Sequence, residues 1–446
     1  MSHVVIIGNG ISGVTAARHI RKQSDKKITI ISSETEYFYS RTALMYIYMG
    51  HMKFEHTQPY EKAFWKKNHI NLKKGLVKNI NFESKILFLS DGKSLSYDQL
   101  ILALGSKPNK FGWKGEDSKG VQGLYHIQDL EQLEQTTKRG IKRGVIVGGG
   151  LIGIELAEML HSRNIQVSFL VRESSFWGKV LPKEESELIN QEILKNKIDL
   201  RLSTELKEII SNEEGWVKQI ITTKGEKIDC DFVGLTVGVS PNIHFLKESE
   251  LNINRGIIVN RFLETSQKSV YAIGDCAEFE EAIGDRRKIE QVWYTGRMMG
   301  EAVANTICGN KTAYSPSYWF NSAKFFDIEY QTYGSVHPEL QKGQSDFYWK
   351  HPKSNKCLHF VYESESRKFI GVNALGVRLR HHCFDDWLTK EKSIEYVLEH
   401  LKDANFDPEF YKSHEKIILQ KFNHENNTHL IPKKKSWKRL LGLLNR

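Results

Sequence analysis

The chain has 446 residues, 40% hydrophobic and 26% charged, which predicts a globular protein of two or three domains with ample length for a core. No apolar run approaches the ~18 residues of a transmembrane helix, and Met1-Ser2-His3 leads straight into a strand without a secretory signal, so a cytoplasmic location is expected. The net charge of +10 is uneven: six cations and no acid fall in the last 14 residues, leaving +4 for the rest, and no motif supports nucleic-acid binding.

The first element is the apolar strand Val4–Ile7, followed by Gly8-Asn9-Gly10-Ile11-Ser12-Gly13 and a helix running to about Lys22. This is G-x-G-x-x-G in strand–turn–helix context. The first glycine permits the sharp turn, the second lets backbone approach a pyrophosphate, and the third lets helix and strand pack closely. The pyrophosphate then lies on the unpaired N–H groups at the helix start. The strand Ile28–Ile31 follows, and Glu34, with Glu36 behind it, is the acid placed to accept ribose hydroxyls. Short strands then alternate with turns: Lys85–Leu89, the Asp91-Gly92 turn and Gln99–Ala103, closing through Leu102–Pro108 around Gly105.

The same order recurs about 140 residues later. Val145–Val147 leads to Gly148-Gly149-Gly150-Leu151-Ile152-Gly153 and a helical segment Ile154–Leu160. The next strand ends Phe169-Leu170-Val171-Arg172-Glu173. Val171 occupies the usual ribose-acid position, Arg172 can meet a 2′-phosphate, and Glu173 is close enough to serve the ribose, so NADH and NADPH both stay open. Val233–Asn242, containing Gly238, repeats the closing turn, and Val270–Ala277 then delivers Gly274-Asp275. An aspartate there can hold a ribitol hydroxyl. The second unit is thus nested inside the first, and the chain is expected to bind two dinucleotides and pass electrons between them.

The five cysteines (Cys230, Cys276, Cys308, Cys357, Cys383) are scattered and form no C-x-x-C, which disfavours a disulfide framework and a zinc ribbon. Adjacent His381-His382-Cys383 rarely converge on one ion, and no metal is expected. At the C-terminus, Asn423–Asn427 reads as a linker and Pro432 precedes a segment with Trp437, Leu440, Leu441 and Leu444 on one helical face among basic residues. Residues 433–446 are therefore expected to form a basic amphipathic helix, one that docks on a partner, makes peripheral contact at the inner membrane face, or packs on the body.

Together these residues resemble the two-dinucleotide-binding flavoprotein disulfide reductase superfamily over roughly residues 1–385. Within it the chain resembles the ferredoxin-reductase and nitrite-reductase flavoprotein branch: Tyr39-Ser40-Arg41-Thr42-Ala43-Leu44 is similar to its Y-x-R-x-x-L segment, Lys288–Trp293 to the helix start facing the flavin, and Trp319-Phe320-Asn321-Ser322 to its W-F-W-S strand. The resemblance implies an α/β fold of two nested Rossmann-like domains plus a smaller α+β C-terminal domain. It divides the chain into an FAD-binding domain (1–113 and 246–317), an NAD(P)H-binding domain (114–245), an interface domain (318–400) and a helical basic tail (401–446). It implies an FAD site of Gly8, Gly10, Gly13, Glu34, Arg41, Val77, Gly105, Gly274, Asp275 and Glu290. The implied NAD(P)H site comprises Gly148, Gly150, Gly153, Glu155, Arg172 and Gly238. Arg41 and Glu290 would line the flavin or form structural ion pairs, and Glu155 would orient the nicotinamide.

Hydride transfer to flavin needs position and exclusion of water rather than acid–base residues, so no residue is assigned as catalytic. Disulfide-active members carry cysteine just beyond the ribose acid, but Ser40–Met52 contains none. Tyr46 stands where ferredoxin-type relatives have lysine, and Asn321 replaces the second tryptophan of W-F-W-S. The leading reading is an FAD oxidoreductase taking hydride from NAD(P)H and serving a redox protein, ferredoxin-like or haem. The alternatives are a membrane-associated quinone oxidoreductase, for which only Gln291 of the A-Q-x-A-x-Q pattern matches, and a redox-sensing flavoprotein without turnover.

Overall fold

The computed structural model describes residues 2–407 and 412–433. The chain divides into two compact units, the first built from Met1–Gly148, Leu156–Val167 and Glu205–Pro316 and the second from Gly149–Glu155, Ser168–Thr204 and Ser317–Arg446.

In the first unit, five strands form a parallel sheet in the order Val270–Ala272, Gln99–Leu102, His3–Ile7, Lys27–Ser32 and Ile70–Lys74. The central strand is buried along its whole length. Its unbroken Val-Val-Ile-Ile run is what a strand covered on both faces requires. Helices Ile11–Gln23 and Trp293–Ile307 pack closely because glycines face them: a Cβ on Gly300 would lie 2.6 Å from the Ser12 carbonyl oxygen. Val77–Asn81, Ile86–Leu89 and Ser94–Ser96 form an antiparallel meander.

The duplication read from the sequence is physical. Arg143–Val147 pairs in parallel with Phe232–Leu235, which pairs with Val121–Gln122. A second antiparallel meander, Leu206–Ser211, Val217–Thr222 and Lys227–Asp229, repeats the first. The fold is α/β, with parallel sheets typical of Rossmann-like domains and a sheet-rich C-terminal region.

In the second unit, Gln166–Leu170 pairs in parallel with Asp199–Arg201 through Ser168–Leu170. A five-stranded antiparallel sheet follows in the order Phe320–Phe325, Ile328–Gly334, Phe369–Leu375, Cys357–Glu363 and Gln344–Lys350. Helices His381–Thr389, Ile394–Glu399 and Glu415–Asn426 share its core with Phe347, Trp349, Phe360, Phe384 and Trp387.

One expectation is overturned here. Asn423–Asn427 is not a linker: residues up to Asn426 complete a helix that buries Ile418, Leu419 and Phe422, and Asn427 caps it in the left-handed conformation at φ 54°. The polar run is the last turn of an amphipathic helix, and asparagine tolerates the cap geometry. Expectations for residues 434–446 lie outside the described residues. No helix among the described residues is long and apolar enough to cross a membrane.

Candidate dinucleotide sites

The first fingerprint separates glycines the fold needs from the one a ligand needs. Gly8 has φ +113°, and a Cβ there would lie 2.0 Å from the Ala103 carbonyl oxygen. A Cβ on Gly13 would lie 2.2 Å from the Gly8 carbonyl oxygen. A Cβ on Gly10 would meet nothing within 4 Å. Gly10 is also the N-cap of Ile11–Gln23, with no side-chain cap bond and no acid in the first turn. The space beside Gly10, at the positive helix end, is therefore open, which fits the approach of a pyrophosphate.

A polar chain runs through the first unit from Glu34 to Asp275. Arg41 donates to Glu34 twice, Nη1 to Oε1 at 3.0 Å and Nη2 to Oε2 at 2.7 Å. Glu34 Oε1 also accepts from the Tyr39 hydroxyl at 2.5 Å and the Ile127 amide at 3.0 Å. Burial works to raise the Glu34 carboxyl, but bonds from His126, Arg41 and Tyr39 outweigh it and hold it far below the usual carboxylate range. Arg41 lies over the Tyr125 ring, 4.4 Å from its centroid. Tyr125 Oη donates to Asp275 Oδ2 at 3.0 Å, as does Ser106 Oγ at 3.0 Å, and Gln291 Nε2 donates to Ser106 Oγ at 2.8 Å. Burial pushes the Asp275 carboxyl up, while the Tyr125 and Ser106 bonds pull it back.

The structure thus brings Glu34 and Arg41 into one ion pair and links them to Asp275 through Tyr125, a residue sequence reasoning missed. Tyr125 lies 150 residues from Asp275 in no recognisable motif, so nothing local marks it. Glu290 forms an ion pair with Arg286 and accepts from Thr295 Oγ1 at 3.2 Å, so its carboxylate is held by its own loop and helix. Val77 is 4% exposed in the core of this unit. Gly105 and Gly274 take positive φ, +67° and +72°; a Cβ on Gly274 would lie 2.3 Å from Ser12 Oγ. Tyr46 stacks on His51, centroids 6.1 Å apart.

In the second fingerprint, Gly148 repeats Gly8: φ is +112°, and a Cβ would lie 2.6 Å from the Thr236 carbonyl oxygen. Thr236 Oγ1 donates to the carbonyls of Val147 and Gly148 at 2.9 and 3.1 Å, fixing this turn. Gly150 accepts from the Ile154 amide at 3.2 Å as the helix begins, and Gly153 is buried within its first turn. Glu155 lies half-buried one turn in. Gly238 has φ +91°. At the end of the next strand Val171 is fully buried, while the side chains of Arg172 and Lys179 are 62% and 67% exposed and both reach Glu173 Oε1 at 3.0 Å.

Cys276 and Cys230 are buried. Burial pushes the Cys276 thiol up to about 12, and its Sγ donates to the carbonyls of Leu102 and Ile273 at 3.4 Å. Burial likewise holds Cys230 at about 12.

The sequence profile of the pyridine nucleotide-disulphide oxidoreductase family matches residues 2–300. The chain is 28% identical over 413 residues to the assimilatory nitrate reductase electron transfer subunit of Bacillus subtilis (strain 168), covering 92% of this chain and 52% of that protein. The chain therefore spans about half the length of that relative. It is 26% identical over 322 residues to a rubredoxin-NAD(+) reductase of Pseudomonas putida, covering 71% of this chain and 83% of that one. Among solved structures, a ferredoxin reductase from Rhodopseudomonas palustris superposes with a TM-score of 0.76 at 22% identity, over 92% of this chain and 96% of that chain. That similarity is one of fold.

Proposed function

Because the chain belongs to the pyridine nucleotide-disulphide oxidoreductase family, whose cofactor is FAD and whose substrate is NAD(P)H, we propose that it takes hydride from NAD(P)H and hands electrons to a small redox protein without a redox-active disulfide. The observation that carries this reading is the pairing, within one unit, of an open helix N-terminus at Gly10 with the Glu34–Arg41–Tyr125–Asp275 chain. Relatives named as electron transfer subunits and rubredoxin reductases support a protein acceptor.

The residues divide the work. Gly8 and Gly13 close the turn, and Gly10 leaves the approach open to a pyrophosphate. Asp275, fixed by Tyr125 and Ser106, presents an acceptor for a ribitol hydroxyl. Glu34 anchors Arg41, and a ribose hydroxyl would share the carboxylate with that guanidinium. Glu155 orients the nicotinamide. FAD, when bound, supplies the exchange of a two-electron hydride for single electrons. Cys276 and Cys230 stay thiols and take no electrons, since burial disfavours their thiolates.

The test is anaerobic titration of the yellow protein. Full bleaching at about one equivalent of NAD(P)H per flavin supports the reading. Turnover with a ferredoxin or rubredoxin then identifies the acceptor class. A protein that binds no FAD, or that consumes a second equivalent in reducing a disulfide, overturns it.

A further inference from the structure

The strand Gln166–Leu170 ends in a segment pinned by backbone bonds: the Val171 amide to the Arg201 carbonyl at 2.9 Å, the Thr204 amide to the Val171 carbonyl at 3.0 Å, and the Ser203 amide to the Glu173 carbonyl at 2.9 Å. The side chains here therefore have fixed starting points. Val171, at the position where an acid would accept two ribose hydroxyls, is fully buried, and its Cγ1 would lie 2.9 Å from a Cβ on Gly149. It packs against the glycine turn and offers no acceptor. The next residue, Arg172, carries an exposed guanidinium, and Lys179 comes back from the following loop to the same place.

We propose that Arg172 and Lys179, gathered by Glu173, form a 2′-phosphate site that makes this chain select NADPH over NADH. The proposal rests on the reductase reading above. Two cations surround one carboxylate, so the cluster keeps one positive charge in excess. A 2′-phosphate carries about −1.5 to −2 near neutrality and matches that excess, whereas a ribose hydroxyl brings no charge. Solvent-exposed ion pairs such as Arg172–Glu173 contribute little net stability, so the guanidinium exchanges its carboxylate for a phosphate at little cost. Planar guanidinium then binds two phosphate oxygens at once. Glu173 is the competing acceptor for a ribose. Burial works to raise its carboxyl, but bonds from Lys179 and Arg172 hold it low, so it is an anion already engaged by both cations.

The experiment has two arms on the FAD-loaded full chain. In the first, calorimetry compares 2′,5′-ADP with 5′-AMP. The bisphosphate is expected to bind roughly 10- to 100-fold tighter. Arg172→Ala should erase most of that difference, Arg172→Lys should keep part of it, and Lys179→Ala should weaken it less. In the second, kcat/KM with NADPH and NADH is measured against ferricyanide. Wild type should prefer NADPH, and Arg172→Ala should lower kcat/KM for NADPH far more than for NADH, through KM. Equal binding of the two adenosine nucleotides, a preference for NADH, or equal losses for both coenzymes would overturn the proposal. Flavin that neither coenzyme reduces would sink the reductase reading, and the calorimetric arm would still judge the phosphate site.

Discussion

The phenol of Tyr125 donates to Asp275 Oδ2 at 3.0 Å and joins two parts of the first unit that lie 150 residues apart in the chain. The same ring carries the Arg41 guanidinium on its face, so one side chain couples the Glu34 ion pair to the Gly274-Asp275 turn. Tyr125→Phe removes the donor and keeps the ring. The variant should fold, lose about 1 kcal/mol of stability, and bind FAD about 3- to 10-fold more weakly. Flavin fluorescence titration and thermal unfolding check both effects. Unchanged affinity would show that Asp275 needs only Ser106.

Arg41→Ala should be far more damaging than a surface ion-pair deletion. Glu34 is only 12% exposed, and Arg41 supplies two of its bonds. Leaving a mostly buried carboxylate short of its partner costs about 3 kcal/mol. The pH sign follows from the depressed Glu34 carboxyl. Its stabilising contribution is full above the ordinary carboxylate range and is lost as pH falls through and below it. Wild type should therefore lose stability on acidification, and Arg41→Ala should lose less of it, since part of that contribution is already gone. Thermal unfolding between pH 7 and pH 3 measures the difference.

The doubly wound core was legible because its signals are local. Val4–Ile7 and Gly8–Gly13 are contiguous, and burial on both faces leaves an unbroken apolar run that marks a parallel strand. Val145–Val147 repeats the pattern. The polar chain was only half legible. Glu34 and Arg41 lie seven residues apart and each was readable as a site residue, yet nothing in their spacing shows that they pair with each other. Tyr125, Ser106 and Asp275 meet only through the fold. Glu290 was readable as either a flavin-lining group or a member of an ion pair, and its bond to Arg286 four residues earlier belongs to the second reading. The segment 423–427 misled because an exposed helical turn and a linker share the same polar composition, and only the buried face at Ile418, Leu419 and Phe422 separates them.

The three glycines of the first fingerprint should fail in different ways. Gly8→Ala places a Cβ against the Ala103 carbonyl and Gly13→Ala places one against the Gly8 carbonyl, so both should destabilise the apoprotein itself. Gly10 has φ −71°, which any residue adopts, and open space beyond its Cα. Gly10→Val should therefore leave the melting temperature of the flavin-free protein within a few degrees of wild type and abolish FAD binding. Comparable destabilisation by all three would show that the space beside Gly10 serves the fold alone.

Blocking the thiols should leave flavin reduction intact. Cys276 is fully buried with its thiol held up to about 12, so iodoacetamide at pH 8 should spare it. The half-buried Cys308 and Cys383 should react first. Stopped-flow reduction of the alkylated protein by NAD(P)H should stay within about twofold of the untreated rate. A loss that tracks modification of one cysteine would restore thiol chemistry to the mechanism.

The second unit contains a buried charge cluster whose titration should be visible. His359 lies between two carboxylates, Nδ1 2.8 Å from Glu185 Oε1 and Nε2 2.7 Å from Asp346 Oδ2, and Asn373 Nδ2 donates to Glu185 Oε2 at 2.8 Å. Burial works to lower the imidazole, but the bonds to Asp346 and Glu185 outweigh it and hold it at about 9. Burial also raises the Glu185 carboxyl, while the bonds from His359 and Asn373 pull it back. A histidine raised in the folded state stabilises fully below its unfolded value of 6.5, and that stability is lost as pH rises through about 9. The loss is on the order of 3 kcal/mol. Wild type should thus melt progressively lower between pH 7 and pH 10. Asp346→Asn removes the partly exposed carboxylate and should move the falling limb to lower pH without unfolding the unit. His359→Gln leaves Glu185 buried without its cation, should cost about 3–5 kcal/mol at neutral pH, and should gain stability on acidification as Glu185 takes up a proton. Melting curves for the three proteins across this range, with parallel alkaline limbs in all of them, would show that His359 carries no charge in the folded protein.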